Sequence, residues 1–225
     1  MGPGFVRAAL AVFRKDALTE MRSRELVGAM GLFALLAVLI FSFALELNRQ
    51  ARIESVSGVL WVTIVFASIL GLNRSMALER DQGNLDGLLL APIPRAAVFT
   101  GKLAGNFLFT LLAGLAVALV ITVLFNVPLF GAGLLLLLVL GTLGFTTIGT
   151  LLAAMTVQTR ARETLLPIVM LPVAVPMLLA SVRASTIVLS GAPDEQWLPW
   201  LSILLVLNVI FLVLGLVLYE FVVEE

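Results

Sequence analysis

Residues 103–158 read LAGNFLFTLLAGLAVALVITVLFNVPLFGAGLLLLLVLGTLGFTTIGTLLAAMTVQ, without a single Asp, Glu, Lys or Arg. A helix crossing a bilayer needs about 20 apolar residues, so this run is far too long for one crossing. Asn126-Val-Pro128 offers the break, pairing a turn-forming residue with one that has no backbone N–H to continue a helix. The stretch therefore reads as two spans, 103–125 and 132–155, joined by a tight connection. That reading sets the fold class.

Working outward, four more runs lack charge: 26–45, 55–73, 164–182 and 196–219. They predict spans at 26–45, 56–73, 164–182 and 199–219, which makes six. The composition agrees: 61% of residues are hydrophobic and the mean hydropathy is +1.14, against roughly 45–50% apolar residues in soluble domains. Six spans leave little of 225 residues for anything else. The expectation is an all-α, polytopic membrane protein forming a single transmembrane domain over 1–225. Pro167, Pro172 and Pro176 predict that the fifth span is kinked or broken, and 46–55 reads as an exposed loop.

Ahead of the first span, Val6, Leu10, Phe13, Ala17 and Met21 recur at three- and four-residue intervals, with Arg7, Arg14, Lys15 and Arg22 mostly on the other side. This pattern predicts an amphipathic interfacial helix over 5–24, or else a polar tail that is merely helical. Asp16 and Glu20 intrude on its apolar side. The charged first 24 residues lack the continuous apolar core of a signal peptide.

Lys and Arg concentrate on the cytoplasmic side of membrane proteins. With the amino terminus inside, the inner segments hold Arg7, Arg14, Lys15, Arg22, Arg24, Arg74, Arg80, Arg95, Lys102, Arg160 and Arg162, and the outer ones only Arg49, Arg52 and Arg183. Eleven against three puts both termini in the cytoplasm. Trp61, Trp197 and Trp200 then fall near the outer boundary, where interfacial anchors belong.

Catalytic chemistry is nearly absent. The chain has no Cys and no His, which removes thiolate metal sites and the commonest general base. No GxxxxGK[ST] phosphate loop occurs. The spans carry no ionisable residue of the kind that couples transport to a gradient; Asn106, Thr110 and Asn208 are their strongest polar groups. The reading is therefore a non-catalytic membrane subunit with no metal and no directly bound cofactor. Gly101 and Gly105 form a GxxxG pair, and Thr142, Thr146, Gly149 and Ala153 a small stripe. Both suit close helix packing, with a dimer seam or a substrate path as the alternatives.

The longest polar interruption, 75–102, reads SMALERDQGNLDGLLLAPIPRAAVFTGK. Leu85, Leu88 and Leu89 stand at i, i+3 and i+4, with Ile93 and Val98 beyond, as one stripe of a short helix would require. Pro92 and Pro94 end it, and Gly83 and Gly87 permit a tight entry. Glu79, Arg80, Asp81 and Asp86 flank the leucines. Burying three leucines yields roughly 5–9 kcal/mol gross. Association costs a comparable amount, so a second contact is needed, and Arg160 and Arg162 in 158–163 supply it. These residues predict a cytoplasmic docking surface for a motor protein. The alternative is a solvated loop whose leucines fold back onto the bilayer.

The segment ERDQGNLDGLLLAPIPRAAVFTGK resembles the E-R-x-x-G-x-L-(D/E)-x-L-L-x-x-P coupling segment of ABC-2-type ABC transporter permeases. The whole chain is similar to the heme exporter protein B family of the cytochrome c maturation system, which shares its length, six spans, basic first helix and GVLW, here Gly58-Val59-Leu60-Trp61. The resemblance implies a permease subunit in a bacterial inner membrane, working with a separate ABC ATPase subunit that binds ATP and a membrane subunit that handles heme. It implies two copies per complex, and either heme export or release of a heme-loaded chaperone. A permease for a lipid, polysaccharide or drug, or a non-transporting assembly scaffold, are the competing readings.

Overall fold

A computed structural model describes residues 4–44, 49–81, 93–156 and 162–224. Within these all regular secondary structure is helical: α1 (Phe5–Ser23), α2 (Glu25–Ala44), α3 (Arg49–Asp81), α4 (Arg95–Phe125), α5 (Ala132–Thr156), α6 (Arg162–Leu189) and α7 (Asp194–Glu224). Six of them, α2 to α7, are long and apolar enough to cross a membrane.

The helices outrun the apolar stretches that predicted them. Arg49 to Ser55, read as loop, begins α3, and Ser75 to Asp81 ends it. The helix α4 starts at Arg95, well before the apolar run opens at Leu103. Hydropathy marks where a helix meets lipid, whereas backbone hydrogen bonding continues until a capping or breaking residue stops it. At the end of α4 that residue is Asn126, which takes the left-handed conformation at φ 53°. Beyond α6, Gly191 does so at φ 73°. There the Ala192 N–H donates to the Ile187 carbonyl and the Gly191 N–H to the Val188 carbonyl, the paired bonds of a glycine-terminated helix.

Pro167, Pro172 and Pro176 do not break the fifth crossing, since α6 is one continuous helix. Its inward residues Met170, Ala174, Met177 and Ser181 are buried at helical spacing, and packing along that face holds the helix together. Prolines are tolerated in membrane helices where neighbours and local adjustments compensate the freed carbonyls.

Two helices form the centre. In α3 and α5 the membrane-length windows are 72% buried, against 22% in α2 and 17% in α7. The helix α5 touches α3, α4, α6 and α7, and glycines explain how. Trp61 of α3 fills the space a side chain at Gly141 would take, Met177 of α6 that at Gly144, and Leu72 of α3 that at Gly149. Between helices in lipid the driving force is close packing rather than water exclusion, so these notches are what binds the centre. The outer helices present their apolar residues outward, as Ile40 of α2 and Val209 of α7 do.

Candidate functional site

One end of the bundle gathers α1, the start of α2 and α4, and the finish of α3, α5 and α7. Val98 and Phe99 of α4 pack there with Leu103, Leu151 of α5 and Tyr219 of α7, with Ile93 against them. The Phe99 and Tyr219 rings lie 5.3 Å apart, and Phe99 occupies the notch at Gly215. Ile93 and Val98 were expected to extend a docking stripe; they belong instead to this internal cluster. Across the same end, Arg74 of α3 pairs with Glu25 at the start of α2.

The predicted docking residues stand relative to this end as follows. Glu79, Arg80 and Asp81 form the last turn of α3, and Arg162 is the first residue of α6. Gly83, Leu85, Asp86, Leu88, Leu89, Pro92 and Arg160 lie outside the described residues, as does the short helix expected around the leucines. The two connections that carry them, 82–92 and 157–161, join helix ends on one and the same side of the bundle.

The basic first helix is docked. On α4, a side chain at Gly101 would collide with the Ala9 carbonyl at 2.6 Å and with Val12 Cβ at 2.7 Å, and one at Gly105 would meet Asp16 Cβ at 3.7 Å. The GxxxG pair is therefore the seat of α1, with Ala8 and Val12 buried against it. Its outward apolar residues, Val6, Leu10, Leu18 and Met21, remain exposed.

Glu20, which interrupts the amphipathic pattern, is 4% exposed. Its carboxylate accepts hydrogen bonds from the Val27 N–H at 2.8 Å and the Leu26 N–H at 3.3 Å. It caps α2 from the preceding helix, offsetting two of the donors every helix start leaves open. Arg24 makes the turn between the two in the left-handed conformation, φ 55°. Lys102, counted among the solvent-facing charges, is 5% exposed in α4. The α1–α2 elbow thus encloses a carboxylate at one end of an apolar bundle, and the next helix to pack on α1 carries a buried ammonium group.

Part of the polarity within the bundle goes into helix contacts, while Ser57 Oγ, Thr63 Oγ1, Ser68 Oγ, Ser181 Oγ and Asn208 Oδ1 are buried without a hydrogen-bond partner. Asn106 Nδ2 donates to Thr150 Oγ1 at 2.9 Å, and Asn208 Nδ2 donates to the Leu140 carbonyl at 3.1 Å. Thr142 and Thr146 donate within their own helix, to Leu138 O and Thr142 O, so their stripe contributes small size rather than cross-helix bonds. Trp61, placed at the outer boundary by its position in the chain, is wholly buried instead. Its Nε1–H donates to Ser185 Oγ at 2.9 Å, and its ring centroid is 6.0 Å from that of Phe145. Position along a span gives depth but not facing. Trp197 does lie at the helix start, donating to Asp194 Oδ1 at 2.9 Å. Among the described residues no cluster of three or more carboxylates could hold a metal ion.

Sequence reasoning missed the roles of Glu20 and Trp61. A carboxylate on the apolar side of a helix, five residues before the next one begins, was a legible sign of a cap. Trp61 stands among Val59, Leu60, Ile64 and Val65, all buried, a run with no polar face to mark its inward side.

Six long apolar helices around a glycine-notched centre, without an ionisable group at mid-depth, define a multi-pass helical membrane protein. The profile of the CcmB protein family matches residues 7–221. Proteins named "Heme exporter protein B" are similar along most of the chain. That of Rhodobacter capsulatus is 35% identical over 170 residues, 75% of this chain and 78% of the relative. That of Pseudomonas aeruginosa is 28% identical over 195 residues (86% and 87%), and that of Bradyrhizobium diazoefficiens 28% over 211 residues (92% and 93%). The chain belongs to the CcmB protein family, and is a multi-pass bacterial membrane protein.

Proposed function

We propose that this chain is the membrane permease subunit of an ABC-type heme exporter complex for cytochrome c maturation, moved by ATP hydrolysis in a separate ATPase subunit. The family match over residues 7–221 carries the reading. The ERDQGNLDGLLLAP segment supports a docking contact, because it connects α3 to α4 as 157–161 connects α5 to α6, and the helix ends so joined lie on one side of the bundle. Glu79, Arg80, Asp81, Gly83, Leu85, Asp86, Leu88, Leu89 and Pro92 form the main contact, and Arg160 and Arg162 the second. Two ATPase subunits require two membrane halves, hence a pair of chains. Both termini face the cytoplasm of a cell whose inner membrane holds the complex, as the Lys and Arg distribution supports.

Heme iron is held by His, Cys, Met or Tyr. The sequence has neither of the first two. Tyr219 is packed on Phe99, and Met30, Met170 and Met177 fill the core, which leaves Met21 and Met155 as the exposed methionines among the described residues. This supports heme binding in a neighbouring membrane subunit, with no cofactor held here. The notches at Gly141, Gly144 and Gly149 are all filled, which favours transmission of force to that neighbour over passage of heme between α3, α5 and α6. Purification of the chain from detergent should bring the ATPase and the heme-handling subunit with it, together with ATPase activity. The chain alone should show no stoichiometric, axially ligated heme spectrum; such a spectrum would refute the assignment of heme to the neighbour.

A further inference from the structure

Where α1 lies on α4 at Gly101, a furrow of about 240 Å³ runs beside the contact, lined by Val6, Ala9, Leu10, Phe13, Gly101 and Ala104, with Thr100. Thr100 turns its hydroxyl to the Ala96 carbonyl of its own helix at 2.8 Å, so the lining is apolar throughout. Leu10 forms the outer wall. Its neighbours on the helix surface, three residues before and four after, are Arg7 and Arg14, both exposed. An apolar slot whose exposed residue Leu10 is flanked on the helix surface by two arginines is complementary to an acyl chain carrying an anionic headgroup. Guanidinium recognises phosphate oxygens by charge-assisted hydrogen bonds, and basic residues at the membrane surface favour anionic lipid.

We infer that the α1–α4 furrow is a binding site for an anionic phospholipid, with one acyl chain against Leu10, Phe13 and Ala104 and the phosphate at Arg7 and Arg14. The occupant is a lipid rather than heme, because none of the lining residues is His, Cys, Met or Tyr and the macrocycle would have no axial ligand there. A second furrow, of about 60 Å³ between Gly31, Ala34, Leu35 and the α4 residues Ala113, Ala116, Val117 and Val120, shows the contrast. It lies within charge-free stretches of both helices and has nothing to select a headgroup. The site would tie the seat of α1, and with it the Glu20 cap on α2, to the charge of the surrounding leaflet.

The test is native mass spectrometry of the full chain, stripped of lipid in detergent and titrated with phosphatidylglycerol, phosphatidylcholine or hemin. The unaltered protein should retain one phosphatidylglycerol about ten- to thirtyfold more tightly than phosphatidylcholine, the size expected from two surface guanidinium groups. R7Q/R14Q should lose the preference, and R7K/R14K should keep most of it. A104L, which fills the furrow, should lower retention of both lipids. The four arginine substitutions are at exposed positions, so an unchanged melting temperature should accompany the loss. Equal retention of the two lipids, a preference that survives R7Q/R14Q, lipid retention unaltered in A104L, or arginine-dependent retention of hemin in place of lipid would each overturn the assignment.

Discussion

Trp61 Nε1–H donates to Ser185 Oγ across 124 positions of sequence, at 2.9 Å, with both side chains fully buried. The bond pins α3 to α6, while the same indole fills the Gly141 notch of α5. Three helices are therefore held by one side chain. Interhelical hydrogen bonds in membrane proteins average about 0.6 kcal/mol, up to about 1.7, and loss of a large aromatic from a core costs about 3–5 kcal/mol. Ser185→Ala should accordingly lower stability only slightly and Trp61→Ala by several-fold more, as read by denaturant unfolding in micelles.

The glycine notches should differ according to what fills them. At Gly141 the neighbour is a rigid indole, and at Gly144 the flexible thioether end of Met177. Overpacking costs typically about 1–3 kcal/mol when neighbours cannot give way, and Met adapts more readily than most side chains. Gly141→Ala should therefore lower the melting temperature more than Gly144→Ala. Equal losses would mean that the notches are not set by their occupants.

The α1–α2 elbow depends on Glu20. Replacing a helix cap costs about 0.5–2 kcal/mol, so Glu20→Ala should destabilise by that amount, and Glu20→Gln by less because an acceptor oxygen remains. The readout is thermal unfolding together with protease sensitivity of the α1–α2 turn, which should rise in the alanine variant and stay near the unaltered level in the glutamine one.

The number of crossings was legible because charge-free runs of membrane length have no other stable home, and Asn126-Val-Pro128 marks the division within the longest. The facing of each helix was not legible. Trp61 looks like an interfacial anchor from its place in the chain, and Lys102 like a surface charge from the polar residues before it, yet both are buried, Trp61 against Ser185 and Gly141. The GxxxG pair announced close packing without naming the partner, which is α1 rather than another span. The prolines of α6 do not break the helix, because intrinsic helix propensity counts for little once a whole face is packed. Of the proposed docking surface, the pattern ERDQGNLDGLLLAP is what the sequence makes legible, since it is carried by residue type and spacing.

Topology is testable without background labelling, because the sequence contains no cysteine. Single cysteines at Arg22 and Glu220 should react from the cytoplasmic side, and one at Gln196, in the first turn of α7, from the opposite side. The reverse pattern would invert the orientation and place 75–102 out of reach of a cytoplasmic ATPase.

The central claim is that work enters this bundle through the leucines between α3 and α4. The most direct measurement is co-purification of the ATPase subunit with Leu88→Asp/Leu89→Asp, at matched membrane content of the chain. The account predicts that the variant inserts normally and loses the ATPase, since a buried carboxylate costs more than the contact returns. An undiminished yield of ATPase with the variant would contradict it.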